Sequence, residues 1–269
     1  MGASSAEIGV LGGSGFYTFV DGLVAVEVET PYGPPSAPIS VGEVSGRQVA
    51  FLPRHGVHHE FPPHAINYRA NLWALRDLGV TRVLAPSAAG SLQSDVHPGD
   101  VVICDQLVDR TSGRVHTYHD GPLSVHVAWA DPYCPELRPL AADAARGAGM
   151  RVRDNGTVVV VQGPRFSTRA ESAWYQRQGW EVINMTQYPE AYLARELEMC
   201  YVNLSLITDY DTGVEGRDDI APVTMEEALR VFAENVGILR EALFGLIARI
   251  PAARACPCGE ALKGTPAGN

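Results

Sequence analysis

The residues able to do chemistry gather where predicted strands end. Val182-Ile183-Asn184-Met185-Thr186 closes an apolar run in Asn184, Met185 and Thr186, side chains that meet a polar ligand well and fill a core poorly. Thr208-Asp209-Tyr210-Asp211 closes the next run with two carboxylates two residues apart, which point the same way in extended chain. Pro53-Arg54-His55-Gly56-Val57-His58-His59 sets a guanidinium fork and imidazoles just past another strand, a combination suited to an oxyanion. A metal is the weaker reading there, because no carboxylate or Cys stands at ligand spacing. Two further turns are rich in small residues. Gly12-Gly13-Ser14-Gly15 follows the strand Ile8–Leu11 and exposes backbone N–H groups, as a phosphate cradle or as a plain tight turn. It has neither the G-x-G-x-x-G register nor the P-loop Lys. Pro86-Ser87-Ala88-Ala89-Gly90-Ser91 lets a ligand approach the backbone and offers the Ser87 hydroxyl.

Those groups divide into two chemistries. N–H groups, a hydroxyl, Arg and His suit phosphate. Asp209 and Asp211 would repel it and suit a partner presenting N–H donors, such as an exocyclic amine and a ring nitrogen to be protonated. Phe166, next to Gly163-Pro164, is either core or a stacking platform for a flat ring. A molecule with phosphate at one end and an aminopurine at the other satisfies both halves, and so does a reaction between the two.

Strands and helices must carry these turns. Short apolar runs at 39–42, 48–52, 80–85 and 201–209 read as strands, and Pro98–Asp105 as a turn and a strand. Gly156–Gln162 is apolar throughout, as a strand buried on both faces requires. Helical spacing predicts helices over Asn67–Leu78, Leu137–Gly149, Arg169–Gln178, Tyr192–Leu197 and from Thr224-Met225 to about Ile250, with Ser167 or Thr168 capping the third. Residues 110–131 read as a long functional or interface loop, and Gly213–Pro222 as a lid or mobile loop. The alternation predicts one α/β domain over residues 1–250, a central mixed β-sheet flanked by helices on both sides, then a polar C-terminal tail over 251–269.

The 269 residues are 46% hydrophobic with a formal net charge of -10, which argues against a nucleic-acid or anionic-membrane partner. No apolar run reaches the roughly 18 residues of a membrane span and the N-terminus has no basic leader, so a cytoplasmic protein is expected. Cys104, Cys134 and Cys200 stand apart in apolar or turn contexts, as buried thiols do. Cys256-Pro257-Cys258 reads as an exposed, idle C-x-C or a tail-locking disulfide. With two cysteines and no nearby His, zinc is poorly supported, and no metal is expected.

Taken together, Ile8-Gly-Val-Leu-Gly-Gly-Ser-Gly, Arg54-His55-Gly, Asn67-Tyr-Arg-Ala-Asn-Leu-Trp-Ala-Leu, Gly163-Pro-Arg-Phe-Ser-Thr-Arg-Ala-Glu, Ile183-Asn-Met-Thr and Thr208-Asp-Tyr-Asp resemble the 5'-methylthioadenosine phosphorylase branch of the trimeric purine nucleoside phosphorylases. The motifs run in uninterrupted order from about residue 7 to 250. The resemblance implies phosphorolysis of an N-glycosidic bond by a homotrimer, with phosphate as co-substrate and no cofactor. It places phosphate at Ser14, Arg54, His55, Ser87, Ala88 and Thr186, the ribose against Met185 beside Asn184, and the base between Phe166, Ser167, Asp209 and Asp211. Asp209, Asp211 and His55 are the implied catalytic residues. The 5' pocket would use Met225, Ala228 and Leu229, with His126 from a neighbouring subunit. Relatives acting on 6-oxopurines generally carry Glu at the Ser167 position and Asn at the Asp209 position, so the residues here favour adenine. Another purine nucleoside, a hydrolytic nucleosidase and a non-catalytic nucleotide-binding protein are the competing readings.

Overall fold

Apolar side chains set the central strands. Ile8–Gly12 (β1) is buried at every position, and Cys200–Asp209, the long strand that carries the first carboxylate, is buried along nearly its whole length. The computed structural model describes residues 5–13, 16, 19–122, 124–214 and 219–268. After β1 come β2 (Val24–Val26), β3 (Ile39–Val44), β4 (Arg47–Pro53), α1 (Tyr68–Asp77) and β5 (Arg82–Ser91). Then follow β6 (Val101–Val102), β7 (Gln106–Arg110), α2 (Leu137–Gly147), β8 (Val152–Arg153) and β9 (Thr157–Val161). The chain continues through α3 (Arg169–Arg177), β10 (Val182–Asn184), α4 (Gln187–Glu196), β11 (Cys200–Asp209) and α5 (Met225–Arg249).

One mixed sheet holds all eleven strands. β5 is its hub, parallel to β1 and β11 and antiparallel to β10. Helices α1 and α4 pack on a core of Leu72, Leu75, Ala191 and Leu193 against one face. Helices α2 and α5 cover the other through Leu137, Ala141, Leu239 and Leu243. This is the expected α/β architecture with helices on both sides. No helix among the described residues is long and apolar enough to cross a membrane.

Several elements differ from expectation. The small-residue stretch after Ala85 is not a turn, because β5 runs through Pro86 to Ser91. β11 pairs one edge of β5 from Arg82 to Gly90. On the other edge β1 pairs only Arg82–Leu84 and β10 only Gly90–Ser91. Residues 85–89 therefore have no strand on that side, and Pro86, which lacks an N–H, sits where no ladder bond is needed. Helix α4 starts five residues before the expected Tyr192, directly after Thr186, with non-helical backbone at Tyr188. The third helix is capped by Thr168 rather than Ser167, in a capping box with Glu171. Thr224 caps α5 as expected, its Oγ1 accepting from the Glu227 amide at 3.2 Å. The tail folds back on the body with a 3-10 turn over Pro257–Glu260 and a buried Cys258, so it is not idle chain.

Candidate active site

The open edge of β5 forms the floor of a cavity of about 390 Å³. Ser87, Ala88 and Gly90 line it from β5, Arg54 and His55 from the end of β4, and Gly13 from the end of β1. Asn184, Met185 and Thr186 reach it from the end of β10, Asp209 and Asp211 from the end of β11, and Phe166 and Ser167 from the loop before α3. Met225, Ala228 and Leu229 close it from the first turns of α5. Strand ends around a switch in sheet order are where open α/β sheets bind ligands. Of the residues singled out in the sequence, His126 is absent from this lining, and Ser14 lies outside the described residues. Most of the expected lid is described as loop, but residues 215–218 are likewise outside that set.

At the inner end Arg54 is 1% exposed and locked in a fork with Glu190, Nη2 donating to Oε1 at 2.8 Å and Nε to Oε2. Tyr201 donates to the same Oε1 at 2.8 Å. Gly13 packs closely: a Cβ there would lie 3.1 Å from Arg54 Nη1 and 3.1 Å from the Pro86 carbonyl, tighter than an ordinary contact. Behind Ser87 a buried chain of amides and hydroxyls runs inward. Asn203 Nδ2 donates to Ser87 Oγ at 3.1 Å, Ser205 donates to Asn203 Oδ1 at 2.6 Å, and Gln187 donates to Ser205 at 3.1 Å. Tyr133 in turn donates to Gln187 Oε1. The Ser87 hydroxyl itself donates to Asn203 Oδ1 over a long 3.4 Å, a bond that a closer ligand oxygen can replace. Burial pushes the His55 imidazole down to about 3, with Arg54 adding repulsion. The ring is therefore neutral near pH 7. The Phe61 carbonyl, 2.9 Å from Nδ1, can only accept, so Nδ1 carries the proton and Nε2 is an acceptor.

The outer end is acidic. Burial raises the carboxyl of Asp209, against hydrogen bonds from the Thr208 hydroxyl at 2.7 Å and the Asp211 amide at 2.8 Å. Burial also lifts Asp211 to about 6; nearby hydroxyls, Ser172 first, oppose the rise and Asp209 adds to it. Four buried polar atoms here have no hydrogen-bond partner: Ser167 Oγ, both amide atoms of Asn184, and Asp211 Oδ2. All three residues line the cavity. Buried polar groups are almost always paired, so unmatched ones converging on one space mark where a polar ligand goes. Phe166, Met225 and Leu229 rim the mouth and stay exposed, Phe166 at 37%.

A model of the phosphorylase superfamily matches residues 7–248. This chain belongs to that superfamily. Among curated relatives it is 56% identical to a purine nucleoside phosphorylase from Streptomyces coelicolor, covering 96% of this chain and 95% of the relative. It is likewise 56% identical to an S-methyl-5'-thioadenosine phosphorylase from Mycolicibacterium smegmatis, covering 93% of each. Among solved structures, methylthioadenosine phosphorylase from Schistosoma mansoni in complex with adenine superposes with a TM-score of 0.88 at 35% identity, covering 93% of both chains.

In this phosphorylase three positioning groups were not singled out by sequence reasoning. Glu190, in the segment after Thr186, is the buried counter-ion of Arg54. Asn203 stands inside the mainly apolar strand β11. Arg114 stood in the irregular loop; its buried guanidinium donates to the carbonyls of Gln162 at 2.8 Å, Met185 at 2.9 Å and Tyr188 at 2.6 Å. It thereby ties the ends of β9 and β10 together under the cavity. The one available signal is a polar residue inside an apolar run, which Asn203 supplies.

Asp211 gives this phosphorylase a pH-dependent stability. Its folded-state carboxyl sits above the unfolded one, so the contribution is complete below about pH 4 and is lost as pH rises through about 6. Asp211→Asn abolishes that titration. Its stability relative to the parent should therefore improve between pH 4 and pH 7 by roughly 3 kcal/mol. Urea unfolding of both proteins at several pH values measures this, and a pH-independent difference would count against the assignment.

Proposed function

We propose that this phosphorylase is a purine nucleoside phosphorylase type pentosyltransferase that cleaves 5'-methylthioadenosine with inorganic phosphate, giving adenine and 5-methylthioribose 1-phosphate. The observation that carries this is the two-ended cavity, with Arg54, a neutral His55 and Ser87 at one end and two carboxyls raised by burial at the other. The names of the Mycolicibacterium and Schistosoma proteins support the same substrate.

In this reading Ser14, Arg54, His55, Ser87, Ala88 and Thr186 hold phosphate. Thr186 caps α4 without spending its side chain on the cap, which leaves the hydroxyl for the anion. The His55 Nε2 lone pair takes a hydrogen bond from the P–OH of hydrogen phosphate. Met185 packs against the ribose, and Gly163 makes room for it, since a Cβ there would stand 2.6 Å from the Met185 sulfur. Phe166 stacks on the purine, and Asn184 and Ser167 turn their unpaired polar atoms to the nucleoside. A phosphate oxygen attacks C1' as the C1'–N9 bond breaks, and the bond pair leaves on the purine. The transition state is oxocarbenium-like, so the negative phosphate below C1' and a proton delivered to N7 both stabilise it. Asp209 supplies that proton, and the burial that raises its carboxyl favours the protonated form the step needs. Asp211 accepts from the 6-amino group. The chemistry needs a Brønsted acid and an anion site, and no cofactor takes part. Met225, Ala228 and Leu229 shape the 5' pocket. His126 would come from a neighbouring subunit of a homotrimer, whose contact would also cover the exposed rim at Phe166, Met225 and Leu229. A cytoplasmic role in purine and methionine salvage follows from that substrate.

A second reading, phosphorolysis of another purine nucleoside such as inosine or methylthioinosine, is favoured by the name of the Streptomyces relative. Both are tested by turnover of methylthioadenosine, adenosine, methylthioinosine and inosine with and without phosphate. Phosphate-dependent release of adenine, fastest from methylthioadenosine, is expected. Faster turnover of the 6-oxopurines would transfer the conclusion to the second reading, and release of base without phosphate would make the protein a nucleosidase.

A further inference from the structure

Far from the cavity, four cysteines distant in sequence meet. Cys134 lies just before α2, Cys200 opens β11, and Cys256 and Cys258 come from the tail; all four sulfur atoms lie within 4.8 Å of one another. Three of the four are buried. The C-x-C pair alone offers a metal only two ligands; folding brings Cys134 and Cys200 beside it.

We propose that Cys134, Cys200, Cys256 and Cys258 form a structural zinc site that fastens the C-terminal tail to the sheet. Zinc–thiolate bonds near 2.3 Å place the sulfurs of a tetrahedron roughly 3.8 Å apart. The Cys200–Cys256 separation of 3.3 Å and the 4.8 Å limit on the set bracket that edge. All five cysteines are free thiols, so no two of these sulfurs are at bonding distance. Two disulfides need only two close pairs, whereas a metal needs all four sulfurs around one centre, which is the arrangement present. The surroundings favour thiolates. The Leu137 amide donates to Cys134 Sγ at 3.4 Å from the first turn of α2. The Arg254 guanidinium lies against Gly259, one residue past Cys258, and its Nη1 donates to the Glu198 carbonyl at 2.7 Å, two residues before Cys200. Coordination displaces four thiol protons to solvent as zinc enters.

The position argues for a fastening role rather than a catalytic one. Cys200 and Asp209 are opposite ends of β11, nine residues or roughly 30 Å apart. The tail is held nearby by Arg82, which donates to the carbonyls of Pro251 and Ala252, and by the Ala255 amide on Glu136. The metal would thus join the start of α2, the start of β11 and the last segment of the chain.

The full-length protein, expressed with zinc and purified without chelator, should contain about one zinc per chain. Mercurial titration should release it in step with thiol modification, and cobalt exchange should give the intense visible bands of tetrahedral thiolate coordination. Denatured without reductant, the chain should show all five thiols. The double variant Cys256→Ser/Cys258→Ser should lose the zinc and melt at lower temperature while keeping kcat/KM at 25 °C. The proposal is overturned if the zinc-fed protein carries no metal and cobalt gives no thiolate bands. A single free thiol in the unreduced chain, meaning two disulfides, overturns it equally, as does zinc retained by the double variant.

Discussion

Asp209→Asn is expected to lower kcat/KM for methylthioadenosine by on the order of 10²–10⁴-fold, the usual contribution of a positioned general acid. Relative activity on inosine-type nucleosides should rise, because an amide suits a 6-oxo edge. The fold should tolerate the change. The Asn oxygen can keep the Asp211 amide, which donates to Asp209 Oδ1 at 2.8 Å. The new amide nitrogen would donate to the Thr208 hydroxyl, now 2.7 Å from Oδ2, and that hydroxyl can donate onward to the Ala89 carbonyl at 3.3 Å. Lost activity in a normally folded variant would therefore report chemistry. Steady-state kinetics on the four nucleosides, beside thermal melts, decide it; unchanged adenine selectivity would sink the role given to Asp209.

Glu190→Gln is expected to have the largest effect on stability. Arg54 and Glu190 are each 1% exposed and share two hydrogen bonds. Breaking a buried pair from one side leaves an uncompensated charge and costs about 3–5 kcal/mol. The guanidinium also loses its fixed orientation, and a misplacement of about 1 Å can cost on the order of 10²-fold in rate. Saturating phosphate should restore part of the lost stability, because an anion in the cavity would neutralise the stranded cation. A larger phosphate-induced rise in melting temperature in the variant than in the parent checks this. Equal rises in the two proteins would mean that Arg54 does not face the anion.

Much of this was readable in the chain because local chemistry and local structure coincide. β1 and β9 are nearly continuous apolar runs and β11 is mostly one, and the carboxylates, the Arg-His pair and Asn-Met-Thr all stand at strand ends, so pattern alone located them. β5 was cut short because Pro86 and the small residues after it have turn composition; only the missing neighbour on one edge explains why they stay extended. α4 begins ahead of its helical spacing because its first residues are broken by extended backbone at Tyr188, just before Pro189, and a kink of that kind has no periodic pattern. Glu190, Asn203 and Arg114 act through partners tens of residues away, and the cysteine cluster joins residues more than a hundred positions apart. Contacts of that range leave no periodic signal in sequence.

The unpaired edge of β5 also has a thermodynamic consequence. Residues 85–89 give up a row of strand partners that their neighbours keep, so the empty protein holds a local deficit in its central sheet. A ligand seated there acts as the missing length of strand, and its affinity is drawn partly from repairing the sheet. Occupancy then stabilises the whole domain by RT ln(1 + [L]/Kd), about 2.7 kcal/mol at a hundredfold excess over Kd. The amides of Ser87–Ala89 are where exchange with solvent should slow most when the cavity fills.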